Sequence, residues 1–266
     1  MSGLTLVFSI FFYIAIDIFI IGMLLKVWKY VSTPAPLKIP QTPAPKTAAG
    51  VGVRMFKDVV FFRSLFRGNK RIWLGGYLFH LALLIVFMKH LRFFLPATPA
   101  IIDDLVDIDI YTGFVVVGAL AFLFILRLAV DRHFFISVFN DYMLLVFIIA
   151  IGTTGLLSRF WEGGGVRSDI PYIKEFVGGL FTFHPGTVPE NPLFLTHFSL
   201  VMLFLMYFPF SKMVHAVAIF FSPTRNQIDN SREKRWGPWM VKGKRYGQVT
   251  PPAAASVLVK DEPTDA

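Results

Sequence analysis

The sequence predicts an all-α membrane protein of five transmembrane helices, with a four-helix core and one interfacial amphipathic helix. Three observations carry that prediction. Five apolar runs are each long enough to cross a hydrocarbon core of ~30 Å at ~1.5 Å per residue. Only 16% of the 266 residues are charged, against about a quarter in a soluble domain, while 55% are hydrophobic. The cations gather on one set of connections, as membrane topology requires.

Leu4–Leu25 is the first span. Asp17 is its only charge, and Lys26, Lys29 and Tyr30 close it. No Lys or Arg precedes it and no small-residue cleavage site ends it, so it reads as an uncleaved span. Residues 31–50 are rich in Pro and Ala, an extended linker with polyproline character. Val51–Arg71 reads as one basic amphipathic helix. Arg54, Lys57, Asp58, Ser64 and Arg67 fall largely on one face, and Met55, Phe56, Val59, Val60, Phe62, Leu65 and Phe66 fill the rest. Such a helix lies in the membrane interface or docks a partner.

Trp73–Leu95 is the second span, stopped by Pro96. The loop after it holds Asp103, Asp104, Asp107 and Asp109. Ile110–Leu126 is the third, ended by Arg127, Asp131, Arg132 and His133. Val138–Leu157 is the fourth, opened by Asn140-Asp141-Tyr142. Residues 158–192 read as a long loop containing Gly163-Gly164-Gly165, Gly178-Gly179 and His184-Pro185-Gly186. Leu193–Phe221 is the fifth span. It is longer than the bilayer needs and so should tilt or protrude, with Pro209 as a point of kinking. Thr224–Ala266 is a polar tail with a Trp236-Gly237-Pro238-Trp239 knot and a disordered Pro/Ala/acidic end. The chain thus divides into a first helix (1–30), a linker with its amphipathic helix (31–71), a four-helix core (72–222) and a tail (223–266).

Charge orients the spans. Segment 26–71, turn 127–133 and the tail share one side and hold twenty Lys/Arg: ten, two and eight in turn. The opposite loops hold Arg92, Arg159, Arg167 and Lys174 against many acids. The positive-inside rule places the N-terminus outside and the C-terminus in the cytoplasm, in the cytoplasmic membrane of a prokaryote. Topology therefore accounts for the net charge of +9, with no need of nucleic acid. The absence of cysteine excludes disulfides, Cys-ligated iron–sulfur clusters and covalent c-type haem.

Four histidines lie at membrane depth: His80 and His90 in the second span, His197 and His215 in the fifth. Such groups are costly in hydrocarbon and face a bundle interior, a partner or a cofactor. The two spans run in opposite directions. His80 and His215 therefore share the inner level, and His90 and His197 the outer one. A low-spin haem takes one neutral imidazole on each face of its ring. The pattern fits two b haems, the inner on His80 and His215, the outer on His90 and His197. The alternative is four structural histidines bonded between helices. A mismatch remains in either case. Eighteen residues of continuous helix separate His197 from His215 by ~27 Å, whereas ten separate His80 from His90 by only ~15 Å. Tilted helices, tilted haems or a bend at Pro209 must absorb the difference. His133 reads as a helix-end cation, and His184 as an outer-loop residue before a proline, with a role near the outer site as the alternative.

Five spans with His-x9-His on the second and His-x17-His on the fifth resemble the gamma (cytochrome b) subunit of respiratory nitrate reductase. Phe208-Pro209-Phe210-Ser211-Lys212-Met213-Val214-His215 is similar to the segment around that family's last ligand. The resemblance covers residues 1–222. The amphipathic 51–71 segment and the long basic tail point to the DsrM-like branch, the membrane cytochromes of sulfate-reducer complexes. The resemblance implies quinone chemistry, menaquinone before ubiquinone, near the outer haem. It also implies electron exchange between the inner haem and a cytoplasmic iron–sulfur subunit, similar to heterodisulfide reductase or to nitrate reductase beta. Quinone-site candidates are Lys89, His90 and Arg92, where a cation binds a propionate or quinone oxygen or simply snorkels past the span end. The family's quinol-site lysine on the loop after the second span has no counterpart, since residues 93–126 contain no lysine. Asp103, Asp104, Asp107 and Asp109 are candidate proton relays or a solvated acidic loop. Lys212 and Arg225 are candidate propionate partners at the inner haem. The competing functional readings are a haem-free membrane anchor that recruits a soluble redox partner, and a small transporter.

Overall fold

In hydrocarbon every backbone N–H and C=O must bond within its own segment, so apolar runs of this length become helices. A computed structural model describes residues 2–35, 37–95, 97–158, 160 and 166–230, apart from the side chains at 103–107, 109–110 and 166–169. Every regular element among the described residues is a helix, without strands. Among the described residues five helices are long and apolar enough to cross a membrane: Gly3–Ser32, Lys70–Phe93, Tyr111–Ala129, Phe139–Leu157 and Pro192–Phe210.

Residues 1–34 and 56–221 form one unit. Helix α1 (Gly3–Ser32) starts at Ser2, whose side chain accepts from the Thr5 N–H at 3.2 Å. The amphipathic segment expected over 51–71 as one helix is two: α2 (Ala48–Val60) and α3 (Arg63–Gly68). The break falls at Phe62, which adopts a left-handed φ of 50°, rare for a bulky residue. Asp58 closes the break by accepting from the Ser64 N–H at 3.2 Å. Helix α3 then folds back on α4 (Lys70–His90): Phe66 packs on Trp73, and the Trp73 indole donates to Phe61 O at 3.0 Å. Asn69 caps α4 through the Arg71 and Ile72 N–H groups.

Helix α5 (Ala100–Ala129) begins well before the apolar run of the third span, inside the stretch read as a loop. The side chains of Asp103, Asp104, Asp107 and Asp109 lie outside the described residues. A short α6 (Asp131–Ile136) leads to α7 (Phe139–Leu157). The expected 158–192 loop contains a helix, α8 (Val166–Phe181). Its buried residues Ile173, Phe176, Val177 and Leu180 recur at helical spacing. They pack with Phe12 and Ala15 of α1 and with Phe194, Phe198 and Met202 of α9 (Pro192–Tyr207). Gly163–Gly165 and the Trp236–Trp239 knot lie outside the described residues.

Neighbouring helices follow the order α4, α5, α7, α9, α1. Phe79 and Ala82 of α4 and Val116, Ala119 and Leu120 of α5 make the core of the first part, with Leu145, Ile148 and Ile149 of α7 against it. Small residues set the closest approaches: a Cβ on Gly75 would lie 2.8 Å from Leu123, and one on Gly22 would lie 2.6 Å from Pro209. Helices α4 and α9 share no extended packing seam among the described residues.

The expected fifth span, Leu193–Phe221, is not one helix. It leaves α-geometry after Tyr207, passes through a 3-10 turn over Phe208–Phe210, extends at Ser211 (φ −105°, ψ 175°) and turns again over Lys212–Val214 before His215. Pro209 has no N–H to continue the ladder, and Ser211 Oγ caps the next turn by accepting from Met213 N–H at 3.1 Å. The five-turn rise expected between His197 and His215 therefore does not apply.

Among the described residues, 35, 37–55 and 222–230 belong to a second unit. Within it the Pro-rich stretch is tied down: Gln41 N–H donates to Thr224 O and Asp229 N–H to Pro45 O, both at 2.9 Å.

Candidate functional site: two histidine pairs

The helices bring the four histidines together as two pairs. At the end of the bundle that carries Lys70 and Arg127, the basic end, His80 of α4 faces His215 with ring centroids 6.0 Å apart and planes 81° apart. At the opposite, acidic end His90 faces His197 of α9 with centroids 6.4 Å apart and planes 31° apart. An iron ~2 Å from each of two imidazole nitrogens, with the ring centres ~1 Å behind them, sets the centroids ~6 Å apart. Both pairs fit that span.

The donor chemistry fits as well. His80 Nδ1 lies 2.7 Å from Gly76 O and His90 Nδ1 2.6 Å from Val86 O. His197 Nδ1 lies 3.1 Å from Ile151 O, and His215 Nδ1 2.9 Å from Lys212 O. A carbonyl only accepts, so each Nδ1 carries the proton and each neutral ring keeps its lone pair on Nε2. Axial ligation needs that tautomer, and a bond from the other ring nitrogen also fixes ring orientation. No group of three or more His, Cys, Asp or Glu suited to a bare metal ion occurs among the described residues. Paired donors suit a metal that brings its equatorial ligands with it.

Helix α7 carries none of the four histidines yet supports both ends. Near His197, Thr154 Oγ1 lies 3.1 Å from Nδ1, and a Cβ on Gly155 would lie 3.0 Å from Cε1. At the basic end Asp141 is buried and caps α7 by accepting from Val138 N–H at 3.2 Å. Its carboxylate binds Arg127 at 3.1 Å and Lys212 at 2.6 Å. Lys212 thus gives its ammonium to Asp141 and its carbonyl to His215. Phe62 stands edge-on to His80 with centroids 5.0 Å apart, so the strained break between α2 and α3 forms a wall of this pair.

Lys89 is buried at the end of α4, and Arg92 is half-buried in the turn after it. Arg225 belongs to the second unit. His133 Nε2 accepts from Asn69 Nδ2 at 3.4 Å, and His184 bonds Thr182 O in an exposed loop; neither joins a pair. Thr154 and Gly155 carry no role in the sequence reading, and Phe62 only that of an apolar-face residue of 51–71. Thr153-Thr154-Gly155, polar and small in an apolar run, was the available signal.

The nitrate reductase gamma subunit family model matches residues 62–228, a stretch that includes all four histidines. Similar proteins include the Hdr-like menaquinol oxidoreductase cytochrome b-like subunit of Archaeoglobus fulgidus, 32% identical over 85% of this chain and 81% of that protein. Its counterpart in Archaeoglobus profundus is 32% identical over 90% of this chain and 84% of that protein.

Proposed function

The chain belongs to the nitrate reductase gamma subunit family, and from that premise we propose that it is the multi-pass membrane cytochrome b subunit of a menaquinol oxidoreductase. His80 and His215 hold one b haem and His90 and His197 a second. The observation that carries this reading is the pairing itself: two facing imidazole pairs, each ring held by a carbonyl at Nδ1. When bound, the haems supply one-electron carriers at two depths.

The chain's own residues do the rest. The carbonyls of Gly76, Val86, Ile151 and Lys212 fix tautomer and orientation. The apolar spans keep water from the sites between the ends. The positive-inside rule places the basic end in the cytoplasm. Menaquinol, the substrate in the relatives' names, gives up two electrons and two protons at the acidic, outer end, where Lys89, His90 and Arg92 gather. The electrons leave at the basic end to a cytoplasmic iron–sulfur subunit of the heterodisulfide-reductase kind.

The test is a pyridine haemochrome assay with a reduced-minus-oxidised spectrum on purified protein. Two b haems per chain are expected, and His215→Ala should remove one of them. Less than one haem per chain overturns the reading in favour of a haem-free anchor.

A further inference from the structure

Helix α1 has two faces. Thr5, Ser9, Phe12, Ala15 and Gly22 are buried in the bundle. Val7, Ile10, Ile14, Asp17, Ile21, Leu24 and Trp28 are exposed. Leu6, Ile20 and Leu25 beside them are exposed as well; the line through Asp17 steps alternately by three and four residues from Val7 to Trp28. That is the spacing of a seam that meets a second helix.

Lipid would ask only that this face be apolar, and Asp17 is not. It lies ~4 Å along the axis from the midpoint of Leu4–Leu25, close to the centre of the hydrocarbon core. It is exposed on its helix, and no hydrogen bond or ion pair reaches it among the described residues. Lys26, the nearest cation along α1, is ~13 Å further on. Lysine and arginine can snorkel to the interface; an aspartate side chain is too short to do so. Carboxylates at this depth are paired or face a polar interior, and the described residues offer Asp17 neither.

We propose that the Val7–Trp28 face of α1 is the docking seam for a transmembrane helix of another subunit, which brings a basic or amide side chain to Asp17 at mid-membrane. One polar residue in an otherwise apolar seam sets register, as a single polar residue does in coiled coils. A second copy of this chain is a poorer occupant. Across a parallel two-fold seam Asp17 would meet Asp17, and two carboxylates there would have to share a proton. From the proposed function this takes only that the chain works within a complex. Helix α1 supplies no histidine and lies outside the matched residues 62–228.

The chain has no cysteine, so single-cysteine variants carry nitroxide labels without background. In the intact complex, labels replacing Ile10, Ile14, Ile21 and Leu24 are compared with labels replacing Leu84 and Ile125, exposed on α4 and α5. Seam labels should be broadened by dissolved oxygen roughly fivefold less than the others, because a packed seam leaves little room for the gas. Asp17→Leu should abolish that protection and Asp17→Asn should retain most of it. Haem content read on the same samples shows whether the variants fold and whether the histidine sites fail separately. Full oxygen access at the seam, protection unchanged in Asp17→Leu, or dipolar broadening between labels on two copies would each overturn the proposal.

Discussion

The two histidine pairs are built from the same four groups and held in different ways. At the acidic end both rings stand on regular helices, α4 and α9, and α7 clamps His197 with Ile151 O, Thr154 Oγ1 and the flat surface at Gly155. At the basic end only His80 stands on a long helix. His215 follows two 3-10 turns, is exposed, and is held by Lys212, which is itself tethered to Asp141. The first pair is oriented by helix packing and the second by a charge relay. A half-buried, clamped pair suits chemistry confined to the membrane. An exposed histidine on a turn suits exchange with a partner at the membrane surface.

The largest expected effect is loss of a haem. His197→Ala should remove the acidic-end haem, half of the total, and leave the basic-end one in place; haemochrome quantification with a difference spectrum decides it. Loss of both haems would mean that the two sites do not stand independently. Next comes the relay. Asp141→Asn keeps the shape of the residue and removes the charge that holds Lys212 and Arg127. Breaking a buried pair costs about 3–5 kcal/mol, but Lys212 is 66% exposed here, so about 1–3 kcal/mol is expected after solvent screening. Thermal unfolding measures that cost. Haem retention should fall at the basic end alone; equal loss at both ends would reduce Asp141 to a general packing residue.

Part of this arrangement is legible in the sequence, and the boundary is physical. The five spans follow from hydropathy because hydrocarbon leaves the backbone no other choice. The assignment of histidines to levels follows from charge asymmetry and the opposed directions of the two spans, and those residues stand face to face in the fold. Helix α8 is obscured by Pro171 and Gly178-Gly179, although Ile173, Phe176, Val177 and Leu180 carry its period. The break after Tyr207 is half visible. Pro209 marks a kink, but the turn through Ser211 depends on its own cap and on the Pro209–Gly22 contact. That break removes the spacing mismatch, which arose from assuming one continuous helix. The roles of Thr154, Gly155 and Asp141 depend on which helix lies beside which, and spacing along the chain does not encode that.

A smaller effect sharpens the acidic end. Thr154→Val removes one of two acceptors facing His197 Nδ1 while Ile151 O remains. Loss of such a supporting bond typically weakens metal binding about 10–100-fold, and the low end is expected here. Gly155→Ala should act in the same direction, since its Cβ would press at 3.0 Å on a ring that two bonds hold in place. Haem loss during dilution, followed by the difference spectrum, reads both variants. Basic-end retention should not change; if it falls equally, α7 does not steer the two ends separately.

The smallest effect changes no occupancy and tests the comparison most directly. The imidazole planes lie 81° apart at the basic end and 31° apart at the acidic end. Crossed planes donate to both iron d orbitals of π symmetry alike, leave them close in energy and spread the g values. Planes nearer to parallel separate those orbitals and narrow the spread. Electron paramagnetic resonance of the oxidised protein should therefore show two low-spin signals of unequal width. The wider should disappear in His215→Ala and shift in Asp141→Asn. The narrower should disappear in His197→Ala and shift in Thr154→Val. The reverse assignment would mean that the relay through Lys212 does not set the His215 plane, and the basic end would then owe its geometry to the bound group rather than to the chain.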